Sequence, residues 1–380
     1  MTDQRPACLI TSTVTDYREE PFRLLAEAEN VEVIAWAQVE EAEAAQVEEA
    51  GASVEQAHLD HFTLRRSTQP GAARLAASGR YRAVIAGLGG RVALPGAYAG
   101  ARRAGVPFIL WASLWAHPRT PAHTLSYLPM RLLYRRADAV VTYGTHVSDY
   151  VAARRGSHER VFEAPQAVAP SQFAVDVPTA ARLAARERAG AAGDQVLVLF
   201  VGRLRPEKGV AVLLDAWRSA ELGGAAVLAI AGKGPLHEAV ERAGGGVRPL
   251  GFVARPDLPA LYAAADVLVL PSIRTATFTE PWGLVVNEAM HQGTPIIATD
   301  AVGAVAGCLV RDDRNGLVVA NSDRDSLAIA LRSLVHDGER RRRLGAAARR
   351  DIEVFTPAAW VEGVQRALSA VGASNSGRSC

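Results

Sequence analysis

Lysine is nearly missing from this chain. Of its 42 basic residues only Lys208 and Lys233 are lysine, and the rest are arginine. Cysteine is scarce too: Cys8, Cys308 and Cys380 lie too far apart for a disulfide framework or a zinc site, and a reducing compartment is the default reading. No excess of one charge exists, since 42 basic residues meet 40 acidic ones for a net +2, which argues against bulk nucleic-acid binding. Apolar runs stay well short of the roughly 20 residues that span a bilayer. The opening M-T-D-Q-R-P-A-C-L-I lacks the apolar stretch of a signal peptide, so a cytoplasmic protein is expected.

What is present is core. At 380 residues, 49% hydrophobic, the chain suits two domains. Short β-rich runs alternate with amphipathic segments. Strands are predicted at Ala7–Thr13, Val31–Ala37, Ala83–Gly87, Pro107–Ala112, Ala139–Tyr143 and Val161–Ala164, then at Val196–Gly202, Ala226–Ala231, Arg248–Leu250, Val267–Pro271, Pro295–Thr299 and Gly316–Val319. Between them fall helices at Arg18–Ala28, Val39–Gly51 (with an acidic, solvated face at Glu40–Glu49), Leu94–Ala104, Pro121–Arg136 and Thr145–Arg155. Continuous apolar strands alternating with helices mean parallel sheets covered on both faces. The expected fold is α/β: two doubly wound Rossmann-like domains facing a central cleft. The expected division is 1–170, a Pro-punctuated linker at 171–194, a second domain at 195–356, a helix at 357–371 that packs back on the first domain, and a disordered tail at 372–380.

Two stretches carry chemistry. In V-L-V-L-F-V-G-R-L-R-P-E-K-G a buried strand ends at Gly202, and Arg203 and Lys208 follow on the loop that opens a helix. Glycine lets backbone approach a ligand, and a helix start offers free N–H groups, so this turn suits a diphosphate held without Mg²⁺. A solvated turn with surface cations fits the spacing equally well. With lysine so rare, Lys208 marks a place where a compact ammonium is wanted; Lys233 is as well explained by chance retention. The second stretch is E-P-W-G-L-V-V-N-E, where Glu280 and Glu288 have seven residues between them around a Pro-aromatic-Gly turn. Glu280, before the helix, would reach a sugar, and the amides of Trp282, Gly283 and Leu284 would offer helix-start donors. Glu288, one turn in, would accept from a ribose diol. A pair of acids stabilising a helix dipole is the plainer alternative.

Residues 196–356 resemble the donor domain of the family 4 retaining glycosyltransferases, which have the GT-B fold. The matching pieces are V-G-R-L-R-P-E-K-G, A-G-K-G-P-L, L-G-F-V, L-Y-A-A-A-D-V-L-V-L-P-S, E-P-W-G-L-V-V-N-E-A-M, G-T-P-I-I-A-T-D and N-G-L-V-V, in the family's order and spacing. The resemblance implies that Arg203 and Lys208 contact the diphosphate. It implies that Glu280 and the Trp282, Gly283 and Leu284 amides hold the donor sugar, and that Glu288 holds the ribose. Gly202, Gly232, Gly234 and Phe252 would lie near the nucleotide. Lys233 stands where this family often carries an acid.

The first half is similar more loosely. P-F-I-L-W-A-S-L-W-A-H-P matches the segment that carries a histidine facing the donor sugar, which makes His117 a candidate and His123 its fallback. The first loop lacks the usual glycines, so Tyr17, Arg18 and Glu20 are candidates for the acceptor side. Trp111 and Trp115 either stack on a sugar ring or pack in the core. Gly87–Gly90 reads as a tight turn. The segment Thr124–Arg136 is amphipathic and basic, interrupted by Pro129, and is either a core-packing helix or a peripheral membrane contact. The resemblance implies transfer of a hexosyl group from a nucleoside-diphosphate sugar to an acceptor hydroxyl, with retention and with neither metal nor cofactor. A nucleotide-sugar epimerase, a phosphorylase and a silent binding module are the rival readings.

Overall fold

Most of the strands are apolar along their length, and strand pairing satisfies their backbone groups. In a computed structural model, which describes residues 4–36 and 63–375, they form two all-parallel sheets. The helix expected at Val39–Gly51 lies outside the described residues.

One unit comprises Met1–Ala167 and Thr356–Cys380. Its sheet contains β1 (Ala7–Thr11), β2 (Val31–Ala35), β3 (Leu64–Arg66), β4 (Val84–Gly87), β5 (Phe108–Ala112), β6 (Ala139–Thr142) and β7 (Val161–Glu163), in the order β3-β2-β1-β4-β5-β6-β7. The helix Pro357–Ala370 packs on β6, β7 and the helix Asp16–Glu29. It comes so close that a Cβ on Gly363 would meet the carbonyl oxygen of Glu163 at 2.3 Å. The segment after it, expected to be free from Gly372 onward, is tied down as far as Asn375. Arg82 Nε donates to the Ala373 carbonyl at 2.8 Å, and the Asn375 amide donates to Glu29 at 2.8 Å. Arg82 and Glu29 form a buried ion pair at 3.2 Å, and that pair needs these extra partners to satisfy its remaining polar atoms.

The other unit is Val168–Phe355. Its sheet contains β8 (Val196–Val201), β9 (Ala226–Ala231), β10 (Val247–Gly251), β11 (Val267–Leu270), β12 (Ile296–Thr299) and β13 (Gly316–Val319), in the order β10-β9-β8-β11-β12-β13. Val198 and Phe200 pack with Leu213, Trp217 and Leu331 on one face of β8. Truncating Phe200 to Ala would cost about 3–5 kcal/mol. Asp266 begins β11 as an anchor: it accepts from the Leu197 amide at 2.8 Å and pairs with Arg186 at 2.9 Å, which ties the helix Thr179–Arg188 to this sheet.

Candidate active site

In the second unit the chain leaves β8 towards β9 and β10 on one side and returns to β11 on the other. The loops after β8 and β11 therefore diverge, and the crevice at their carboxyl ends is where doubly wound sheets bind ligands. Both sequence motifs are at this switch point.

After β8 the chain makes a single 3₁₀ turn, Pro206–Lys208, and Gly209 adopts φ 71°. A side chain at Gly209 is impossible, because its Cβ would lie 1.8 Å from the Pro271 carbonyl oxygen at the end of β11. The same close approach recurs between the neighbouring turns. A Cβ on Gly232 would lie 1.9 Å from the Gly202 carbonyl oxygen, and one on Gly234 2.7 Å from that of Leu204. Backbone hydrogen bonds tie these turns into one floor: Gly202 to Ala231 at 3.0 Å, Leu204 to Lys233 at 2.8 Å, and Gly232 to Gly251 at 2.7 Å. Phe252, just past β10, is exposed at its edge.

This geometry brings Lys208 to Glu280. The ammonium contacts Oε2 of Glu280, and Ser272 Oγ donates to the same oxygen at 3.1 Å. The Lys208 ammonium also sits 5.3 Å from the centre of the Phe278 ring. Glu280 is 6% exposed, so its charge is held by partners rather than by water. Arg203 differs: its side chain is exposed, with no ion pair or hydrogen bond among the described residues. The two cations expected to act together are thus one engaged and one open. Ser272 was not singled out from sequence; a serine closing an apolar strand carries little signal.

Glu280 is held by its backbone as well. The Gly303 amide donates to its carbonyl at 3.1 Å and the Ala304 amide to that of Trp282 at 2.8 Å. Gly283 has φ 94°, and the helix Val285–His291 follows, with Leu284 at its cap. The amides of Gly283 and Leu284 donate to no protein group among the described residues. The Trp282 side chain is structural: it is 3% exposed, and its indole donates to Asn287 at 2.8 Å. Gly293 lies two residues past the helix end, in the left-handed region, with its amide donating to Met290 at 3.0 Å.

Glu288 is 5% exposed, and the Tyr262 hydroxyl donates to its Oε2 at 2.6 Å. Arg255 Nη1 stands 3.7 Å from Oε1. Burial raises the pKa of this carboxyl, while the Tyr262 hydrogen bond and the Arg255 charge oppose the rise. Neither Tyr262 nor Arg255 was flagged from sequence. The tyrosine reads as one more apolar residue of L-Y-A-A-A-D, and the arginine is one of many.

In the first unit, Tyr17, Arg18 and Glu20 lie in the opening turns of the helix Asp16–Glu29, which begins two residues before the expected start at Arg18. Arg18 stacks over Trp111 at 4.1 Å and donates to the Tyr143 hydroxyl at 2.6 Å. Trp111 is 4% exposed among Phe22, Tyr143 and Trp360. It serves this unit's core and is not a stacking surface for a sugar. Trp115 packs against the His146 ring at 5.3 Å. His117 Nε2 lies 2.7 Å from the His123 carbonyl. A carbonyl only accepts, so Nε2 carries the proton and Nδ1 is the acceptor of the neutral ring. His123 Nδ1 is bonded to Thr120 Oγ1 at 2.6 Å, within the cap of the helix Pro121–Arg136. That helix runs unbroken through Pro129, contrary to the expected interruption. The carbonyl that loses its partner belongs to Leu125, which is 82% exposed, so water can replace the bond. Gly87–Gly90 turns against Trp36 and Gln69, whose Oε1 accepts from the Val92 amide at 2.9 Å.

Two doubly wound parallel sheets of seven and six strands define the GT-B class. Residues 182–351 match the family described as "Glycosyl transferases group 1", so the second unit is a group 1 glycosyltransferase domain. Among curated proteins, the D-inositol 3-phosphate glycosyltransferase of Xylanimonas cellulosilytica is 37% identical over 202 residues, which covers 50% of this chain and 46% of that protein. Its counterpart from Stackebrandtia nassauensis is 30% identical over 302 residues, covering 73% and 65%. This chain spans about half the length of the first curated relatives it matches, 47% and 46%. Among solved structures, Anabaena Alr3699/HepE, in complex with UDP and glucose, superposes with a TM-score of 0.75 at 20% identity, covering 97% of this chain and 100% of that one. Among the described residues no helix is long and apolar enough to cross a membrane.

Proposed function

We propose that this protein is a retaining glycosyltransferase that moves a hexosyl group from a nucleoside-diphosphate sugar to an acceptor hydroxyl. The observation that carries the reading is the contact of Lys208 and Ser272 with Glu280 at the switch point between β8 and β11. A buried acid there, held by a lysine on a glycine turn, has a use if a sugar hydroxyl meets the acid and a phosphate meets the lysine.

In this reading Arg203 and Lys208 neutralise the leaving diphosphate in place of a metal ion. Their effect grows in a site that excludes water. Glu280 and the Gly283 and Leu284 amides orient the sugar, and Glu288 accepts from the ribose. The acceptor hydroxyl attacks from the face the diphosphate leaves, and the diphosphate oxygen takes its proton. Positioning and charge stabilisation supply most of the rate. His117, with Nδ1 as its acceptor atom, is proposed as a contact for a sugar or acceptor hydroxyl on the strength of the motif resemblance.

The HepE complexes with UDP and UDP-glucose favour a uridine diphosphate sugar as the first donor to test. A thermal-shift panel of UDP-, GDP-, ADP- and dTDP-sugars, run with a chelator present, tests the reading. Stabilisation by one class that persists in chelator supports it. Loss of all binding in chelator overturns the metal-free mechanism. Epimerised sugar formed without acceptor favours an epimerase.

A second proposal concerns the helix Pro121–Arg136. Leu125, Leu128 and Leu132 share one face and are 82%, 68% and 51% exposed, beside Arg131 and Arg135. Residues 118–137 contain no acid. This stripe fits the surface of an anionic membrane.

A further inference from the structure

The proposed ribose contact rests on a carboxylate whose two oxygens are unlike. Tyr262 fills Oε2 at 2.6 Å, while among the described residues Oε1 accepts no hydrogen bond and has the Arg255 guanidinium at 3.7 Å, beyond hydrogen-bond reach. Tyr262 is fully buried, and it is tied to the Glu288 segment at both ends. Its hydroxyl holds the carboxylate, and its carbonyl accepts from Thr294 Oγ1 at 2.8 Å, just past the helix that carries Glu288. The carbonyl bond fixes the tyrosine's backbone, and full burial of its ring confines the hydroxyl.

Arg255 is fixed from the opposite side. Its Nε donates to Gln172 at 3.0 Å, and its plane lies 4.9 Å from the centre of the Phe173 ring. Its Nη2 is buried and has no partner among the described residues. A buried guanidinium nitrogen without an acceptor is destabilising, because its desolvation is not compensated. That cost is offset if a ligand oxygen arrives. A ribose hydroxyl is both donor and acceptor, so it can donate to Oε1 of Glu288 and accept from Nη2 of Arg255.

We propose that Tyr262 and Arg255 are positioning residues for Glu288: Tyr262 fixes the carboxylate through Oε2, so that Oε1, beside Arg255, reads the ribose hydroxyls of a ribonucleotide. The inference rests on the ribose role proposed above for Glu288. Electrostatics supports it. Burial favours the protonated carboxyl, which would be a poorer acceptor, and the Tyr262 hydroxyl and the Arg255 charge both pull the balance back towards the carboxylate. One turn along the same helix, His291 is shifted by burial and, to a smaller extent, by Arg349.

The test is calorimetric titration from pH 5 to 8.5 with UDP, GDP and ADP and with their 2′-deoxy counterparts. Wild type prefers the ribonucleotide of its base, and the preference shrinks as acid protonates Glu288. Tyr262→Phe moves that acid limb upward by about one pH unit and weakens the ribonucleotide about tenfold on the limb. The deoxynucleotide changes little. Arg255→Gln moves the limb in the same direction, and it decides the matter alone if Tyr262→Phe does not fold. Equal loss of ribo- and deoxynucleotide at every pH would mean a structural role only and would overturn the proposal. So would wild-type profiles in both variants while Glu288→Gln abolishes the ribose preference; in that case the ribose role of Glu288 survives. If Glu288→Gln keeps the preference, or no diphosphate binds wild type, the ribose role itself fails and this inference fails with it.

Discussion

The Lys208 ammonium and the Ser272 hydroxyl converge on a single oxygen of Glu280, Oε2. Glu280→Ala is expected to lower kcat roughly 100-fold, the size of effect seen when one transition-state contact is lost. Nucleoside-diphosphate affinity should change little, because the variant leaves the cations in place. Steady-state kinetics with separate nucleotide titration checks this. A rise in KM with kcat intact would make Glu280 a contact of equal strength in the ground and transition states.

Glu288 combines a burial cost with a proposed use. Its folded-state pKa lies above the ordinary carboxyl value because burial penalises the charged form. The folded protein therefore binds this proton more tightly than the unfolded chain. That contribution to stability is present at acid pH and is lost as pH rises through the raised pKa. Glu288→Gln should match or fall below wild type in Tm at pH 4 and should gain on it at pH 8. Melting curves at both values check the sign. A variant that loses ground as pH rises contradicts it.

His291 gives the opposite slope. It is 6% exposed, and burial, with a smaller push from Arg349, lowers its pKa from 6.5 to about 4. The folded state holds it neutral while the unfolded chain takes up a proton. Stability is nearly full well above pH 6.5 and falls by about 3 kcal/mol as pH drops towards 4. His291→Gln should flatten that part of the urea-denaturation profile. An unchanged acid slope would assign the loss to other groups.

The helix Pro121–Arg136 should bind vesicles that contain anionic lipid and ignore neutral ones. Replacing Leu125, Leu128 and Leu132 together with Gln should reduce flotation at least tenfold, since each buried leucine contributes about 1.5–3 kcal/mol. Raised salt should weaken binding through the arginines. Wild-type flotation of the triple variant would remove this face from consideration. A concentration-dependent dimer lost in the same variant would assign the face to a second copy.

Sequence periodicity found both sheets because their strands are buried on two faces and read as unbroken apolar runs. Ala226–Ala231 and Gly316–Val319 match to the residue. Leu64–Arg66 was missed for the converse reason: it is a short edge strand whose last two residues are exposed, and it has no apolar pattern. The helix Gln69–Ala76 was missed because Pro70 and Gly71 read as breakers. At the first turn of a helix, proline's missing N–H costs nothing. Motif spacing located Arg203, Lys208, Glu280 and Glu288. It did not reveal that Lys208 meets Glu280, or that Tyr262 and Arg255 flank Glu288. Those relations depend on where the loops after β8, β10 and β11 converge, which local pattern does not encode. Trp111 shows the same limit: its position near the end of an apolar strand fits a ligand platform and a core residue alike, and the packing of Phe22, Arg18 and Trp360 decides for the core.

The central claim is that protein cations at the end of β8 hold a diphosphate. Calorimetry of UDP against uridine, in chelator, with wild type, Arg203→Ala and Lys208→Ala, tests it most directly. Each variant should weaken UDP about 10- to 100-fold, as loss of a charge-assisted hydrogen bond should, and leave uridine nearly unchanged. Equal weakening of UDP and uridine, or UDP binding that disappears in chelator, would contradict it.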